Sequence, residues 1–200
     1  MDMKEPQDKS ERQKAAPKWL TGQFLIAMPA MRDPRFEKTV LLICSHGPEG
    51  AMGIVINRLF GELNFSGLLG QFDVDLPEDE PDRPVYYGGP VDPVRGFVLH
   101  SSDYKREGTN DVSSTVSLTS TIEILRDIAE GKGPDRSLMA LGYAGWISGQ
   151  LEAEIQANGW LTAPLDEDIL FDTAIETKWE RALSGIGVSP SLLVGDVGHA

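Results

Sequence analysis

The chain has 200 residues, with 18 Lys plus Arg against 31 Asp plus Glu, a net charge of −13, 40% hydrophobic residues and one cysteine. This is the composition of a globular domain, and it excludes a disordered chain and a disulfide scaffold. No apolar run approaches the roughly 20 residues of a membrane helix, and an acidic excess of this size repels phosphate, so neither a membrane nor direct nucleic-acid contact is expected.

Residues Met1–Lys18 alternate Lys, Glu, Asp, Gln and Arg with almost nothing apolar, and are expected to be a disordered tail. Five bases against four acids leave this tail at +1, so the body from Trp19 to Ala200, expected to be a single domain, carries −14. No secretory leader pattern opens the chain, and the lone Cys44 cannot pair within it; the cytosol is the expected compartment.

The body opens on the strand-like Gly22–Met28, followed by a loop bracketed by Pro29 and Pro34. Thr39–Ser45 reads as a strand apolar on both faces. Gly53–Asn57 reads as the next, and His46-Gly47-Pro48-Glu49-Gly50 supplies turn chemistry between them, which predicts an antiparallel hairpin. Asp73–Asp82 holds six acids and two prolines and reads as an exposed loop; it lacks the glycine and terminal glutamate of a calcium loop. Val85–Tyr87 and Arg95–His100 read as strands around the turn Gly88-Gly89-Pro90, with a further strand at Thr115–Leu118 and a buried one at Leu138–Tyr143.

Three helices are predicted from caps and periodicity. One follows the capping box Ser120/Glu123 and stops at Gly131; a second carries Leu151 and Ile155 and ends at Asn158-Gly159; a third follows the box Thr173/Glu176, with Ile175, Trp179 and Ala182/Leu183 on one face. Early hairpins and later strand–helix alternation predict an α+β fold: a mixed, largely antiparallel sheet or partly closed barrel covered by about three helices.

Few residues invite chemistry. Cys44, Ser45 and His46 are consecutive, but in a regular strand the Cα atoms of Cys44 and His46 stand roughly 6.6 Å apart, and Cys44 continues the apolar set Val40-Leu42; a buried small hydrophobe is the expected reading, with a nucleophile as the alternative. His46 and His100 both end apolar strands and, were those strands neighbours, could converge with Asp103 or Glu49 on an acid–base or metal site. Neither sits in a ligand spacing such as H-E-x-x-H, so no metal or cofactor is expected. His199 is expected in solvent. The block Leu141–Gln150 (LGYAGWISGQ) reads as a strand-to-helix turn, or else a pocket or partner-binding corner. Gly88-Gly89 reads as a plain turn rather than an anion nest. The acids between Glu152 and Glu180 face only Lys178 in their stretch of sequence and read as a solvated acidic surface able to engage a basic partner.

The blocks Gly22–Pro29 (GQFLIAMP), Asp33–Phe36 (DPRF), His46 with Glu49–Asn57 (EGAMGIVIN), Gly88–Val91 (GGPV), Gly96–His100 (GFVLH), Gly142–Trp146 (GYAGW), Gly149–Glu152 (GQLE) and Asn158–Trp160 (NGW) resemble the YqgE/AlgH family, in order, from Leu20 to Ala182. Ser45 departs from the glutamate more usual there. The resemblance implies a bacterial, cytosolic α+β protein carrying the label of a transcriptional regulator, and brings no established activity, cofactor or catalytic residue. Its marked positions are His46, Asn57, His100, Tyr143, Trp146 and Glu152, taken as a candidate pocket or partner surface. The expected function is a non-enzymatic binding or regulatory module, reached through another protein or a small ligand and touching transcription only indirectly. The alternatives are a small-molecule hydrolase using His46 or His100 as base, and a direct DNA-binding regulator, which the charge and the lack of a basic recognition helix oppose.

Overall fold

The structure, a computed structural model, describes residues 19–189 except 79, 172 and 173. The expected tail, His199 and Thr173 of the third helix's capping box lie outside the described residues. Ten strands form one curled, mixed sheet: β1 (Gln23–Ala27), β2 (Val40–Gly47), β3 (Gly50–Val55), β4 (Leu59–Asn64), β5 (Pro84–Tyr87), β6 (Val91–Ser101), β7 (Thr109–Asp111), β8 (Val116–Thr119), β9 (Ser137–Ile147) and β10 (Trp160–Pro164). Five helices pack on it: α1 (Phe65–Leu69), α2 (Ile122–Ala129), α3 (Gln150–Gln156), α4 (Glu167–Phe171) and α5 (Lys178–Gly185). The α+β class read from the sequence is the observed one.

The main strand order is β10-β1-β2-β3-β9-β6-β8-β7. The long strand β9 is shared by two parts of the sheet. Its first half lies between β5, parallel (Val85↔Met139), and β6, antiparallel (Val98↔Met139), and its second half pairs antiparallel with β3, from Gly53↔Ala144 to Gly50↔Ile147. The strands around Gly88-Gly89-Pro90 are therefore not partners of each other: β9 runs between them.

Strands β1 and β2 are buried on both faces, which explains their unbroken apolar runs. Phe24, Ile26, Leu42 and Ile54 face a core closed by Leu170, Trp179 and Leu183 of α4 and α5; Leu25, Leu41, Ile43 and Val55 face a second, closed by Leu151 of α3. A third core lies between β5, β6 and β9 and the helices α1 and α2.

Several expectations are corrected. The first hairpin is tighter than predicted: Gly47 pairs with Gly50, leaving Pro48-Glu49 as the turn, so His46 sits in the ladder opposite Ala51. Helix α2 starts at Ile122 with Thr121 at its N-cap and no side-chain cap hydrogen bond, so the Ser120/Glu123 box is not formed, while Gly131 does take the left-handed position after the last turn. Helix α5 begins at Lys178, after a short 3₁₀ turn at Ile175–Thr177. The block GYAGW is strand rather than turn, bent at Gly142 (φ +75°). Lys178, the one base of the acidic stretch, does not face those acids from the surface: it is buried, its Nζ donating to the Leu170 carbonyl at 2.7 Å and lying over the Tyr86 ring.

Candidate functional site

The two histidines do not meet. β3 and β9 separate their strands, and His46 lies across from Ala51, the partner of Trp146, whereas His100 is paired with Ser137 at the other end of β9. Nine residues of strand between Ser137 and Trp146 amount to about 30 Å.

His46 ties the chain's entry to α3. The Leu20 N–H donates to its Nδ1 at 3.1 Å, so Nε2 carries the proton and donates to Glu152 Oε1 at 3.0 Å, with Trp19 packed edge-on against the ring. A bulge at Cys44 breaks the strand's alternation, so Cys44 joins the core under α5 while His46 turns toward α3. Burial pushes the Cys44 thiol up to about 12, which leaves no thiolate for nucleophilic chemistry at neutral pH.

His100 is fully buried. Its Nδ1–H donates to the Ser101 carbonyl at 2.8 Å, which makes Nε2 the acceptor of the Thr119 hydroxyl at 2.9 Å and leaves Thr119 to accept from Thr109 at 2.7 Å. Desolvation lowers its pKa, against the Ser101 hydrogen bond and the nearby Asp103. Beside it Tyr104 donates to Asp127 at 2.6 Å, and Arg106 closes on the same carboxylate. These are satisfied structural networks.

Asn57 binds backbone, accepting from Val40 N–H and donating to the Lys38 carbonyl. Tyr143 lies edge-on to Phe97, on the face of β9 opposite Trp146. Gly88 is no anion nest: its N–H donates to the Leu141 carbonyl. A Cβ on Gly88 would lie 2.2 Å from the Gly142 carbonyl oxygen, and one on Gly142 2.4 Å from that of Gly89, so the glycines of GGPV and GYAGW allow two backbones to touch. Of the six marked positions, the structure joins only His46 and Glu152 directly.

Trp146 leads to a cleft at the block read alternatively as a pocket corner, whose other walls the sequence reading did not assemble. It lines a cleft of about 310 Å³, against about 180 and 80 Å³ for two others, with walls from Met31 and Phe36, from Pro90 and Val91, and from Trp160. Five separated blocks of sequence converge on it: DPRF, GGPV, GYAGW, GQLE and NGW. On its floor Glu154 Oε2 accepts both indole N–H groups, Trp146 at 2.9 Å and Trp160 at 2.8 Å, while Oε1 accepts Gln150 Nε2 at 2.9 Å. Gln150 Oε1 accepts the Ile147 N–H in turn. At the rim Arg35 grips Asp33 through Nε and Nη2, at 3.0 and 2.7 Å, and lies over Phe36; those hydrogen bonds lower the Asp33 pKa. Gln150 and Glu154 are four residues apart on one helix face, a spacing that marks them as neighbours; their meeting with both tryptophans depends on the fold. Among the described residues the lining holds no hydroxyl, thiol or imidazole, and no group of His, Cys, Asp and Glu is placed to hold a metal ion. The arrangement suits holding a ligand.

A curled α+β sheet with an aromatic, carboxylate-floored cleft is thus the class of molecule defined here. A family model described as AlgH-like matches residues 24–191, and the chain belongs to that family. A UPF0301 protein of Rhodospirillum rubrum is 50% identical over 182 residues, covering 91% of this chain and 95% of its own, and another of Rhodopseudomonas palustris is 46% identical over the whole of both. The solution structure of the AlgH protein from Pseudomonas aeruginosa superposes with a TM-score of 0.75 at 43% identity, covering 94% of this chain and all of its own. A crystal structure of a Corynebacterium diphtheriae protein shares the fold, with a TM-score of 0.72 at 16% identity over 98% of this chain and 95% of its own.

Proposed function

We propose that this protein is a non-enzymatic binding module of the cytosol that takes its partner in the Trp146–Trp160 cleft and affects transcription only through that partner. The observation that carries this reading is the convergence of five separated sequence blocks on one concave, largely apolar surface. The residues best suited to catalysis support it from elsewhere in the molecule: Cys44 and His100 are buried in completed environments, and His46 holds Leu20 and Glu152. The net charge of −13 opposes a direct DNA contact, and the lone Cys44 suits a reducing compartment.

The test is affinity capture from the source bacterium's lysate on the full-length chain and on Ala157→Trp, which fills the cleft from an exposed position. Captured components that disappear with the variant are the expected result. Identical capture by both chains refutes the cleft as the binding site.

A further inference from the structure

We infer that the cleft receives a basic side chain, a lysine or arginine on an extended segment of a partner protein, seated against Glu154 beside the open edge of β9. The inference rests on the binding reading above and supplies its chemistry.

The first ground is charge. Glu154 accepts three hydrogen bonds, all from neutral groups, and among the described residues no Lys or Arg ion pair reaches it. Arg35, the one cation in the lining among the described residues, is already closed on Asp33. The Glu154 carboxylate thus presents a negative charge that no described residue neutralises, and a cation brought into the cleft finds a fixed counter-ion whose orientation two indoles and an amide have already set.

The second ground is the shape and chemistry of the walls. Lys and Arg carry a methylene stem behind the charge, and a guanidinium also stacks on aromatic rings. Met31, Phe36, Val91 and Trp146 offer apolar surface along the way to Glu154. A small inorganic cation would leave these walls unused, and an acidic ligand would face both Glu154 and the net charge of the chain.

The third ground is the strand itself. Pairing of β9 with β6 ends at Val91↔Tyr143, whereas pairing with β3 continues to Gly50↔Ile147. Gly145–Ile147 therefore has a strand on one side only among the described residues; Gln150 Oε1 already takes the Ile147 N–H, so the edge left to a partner is at Gly145, which with Trp146 lines the cleft. An unpaired edge accepts an added strand from another chain, whose alternate side chains drop into the adjoining pocket. That geometry delivers a side chain from a backbone lying along β9, which favours a protein segment over a free amine.

The experiment is selection of phage-displayed random nonapeptides on the full-length chain, followed by fluorescence titration of the selected peptides against wild type, Glu154→Gln and Ala157→Lys. The last variant adds a competing cation at the cleft wall and removes none of the groups that hold Glu154, so it reports even if Glu154→Gln folds poorly. The expected result is enrichment of Lys or Arg at one position flanked by apolar residues, with affinity falling at least tenfold in both variants. Peptides that compete for the cleft without a basic preference, or that bind the variants as well as wild type, overturn the inference and leave the binding reading standing. Argininamide alone competing as strongly as the peptides overturns the strand addition. Selection that yields no peptide blocked by Ala157→Trp overturns the inference, while cleft-dependent capture from lysate decides the binding reading separately.

Discussion

Single residues here divide by what surrounds their polar atoms. The buried thiol of Cys44, pushed up to about 12, predicts that a disulfide exchange reagent at neutral pH leaves the native protein unmodified and labels one thiol once denaturant is added; rapid labelling of the native chain would restore the nucleophile. His100 gives a pH signature with a definite sign. Its folded pKa lies below the ordinary 6.5 because desolvation disfavours the imidazolium, so the unfolded chain binds the proton first. Stability owed to this residue is complete above about pH 6.5 and is lost as pH falls from there toward the folded value. Asp33, Asp103, Asp111 and Glu123 are held below the ordinary carboxylate range by their hydrogen bonds, so they titrate at lower pH than the start of this window. Urea denaturation from pH 7.5 to 5 is therefore expected to show a decline that His100→Asn flattens; parallel profiles would deny the shift. Glu154 offers a larger effect. Its truncation to alanine removes the acceptor of two indole N–H groups on rings only 7% and 2% exposed, and about 2–4 kcal/mol of stability is expected to go with it, read from the denaturation midpoint.

Elements succeed or fail as sequence predictions according to how much of their pattern is local. The β2–β3 hairpin, α2, α3 and α5 were legible because an apolar run or period was bounded by glycine, proline or a cap residue. β4 was not, since its residues are largely exposed and Gly61 breaks it with φ +58°. β7, with three residues, and the five-residue helices α1 and α4 are too short to express a period. β10 begins at the Trp160 quoted only as part of a motif and ends on a proline. The insertion of β9 between β5 and β6 was invisible for a different reason: strand order is a long-range property, and the tight Gly88-Gly89-Pro90 link suggested neighbours. The same topology makes a prediction about that link. A methyl group at Gly88 meets the Gly142 oxygen at 2.2 Å, backbone against backbone, while one at Gly47 meets nothing within 4 Å. Gly88→Ala is expected to cost about 3 kcal/mol or more by overpacking and Gly47→Ala about 0.5 kcal/mol or less, by the same denaturation assay; equal effects would mean that the two strands separate easily.

For the molecule as a whole, the sequence placed individual site residues on their elements but could not assemble the site. His46, His100, Tyr143 and Trp146 were each assigned to the end of a strand or to the glycine-rich block, yet they point into different environments, because a bulge at Cys44 and the path of β9 decide which face each side chain takes. The cleft was present in the sequence only as separated blocks, whose convergence depends on β9 meeting the turn before β6 and the loop after β1. The chain's acidity, by contrast, was legible at once, though part of it is spent internally: Glu152 on His46, Glu167 and Asp168 on Arg136. The remaining charge acts at a distance, and here a global prediction follows from the proposed ligand. A field from a net charge of −13 accelerates the encounter with a cationic partner without altering the contacts of the bound state, and salt shortens its reach from about 14 Å at 50 mM to about 7 Å at 200 mM. Stopped-flow association of a selected basic peptide is therefore expected to slow several-fold over that range, while dissociation, set by Glu154 and the cleft walls, changes little. A peptide whose dissociation rate carries the salt dependence instead would place its charge in an exposed contact at the rim, away from Glu154 on the floor between Trp146 and Trp160.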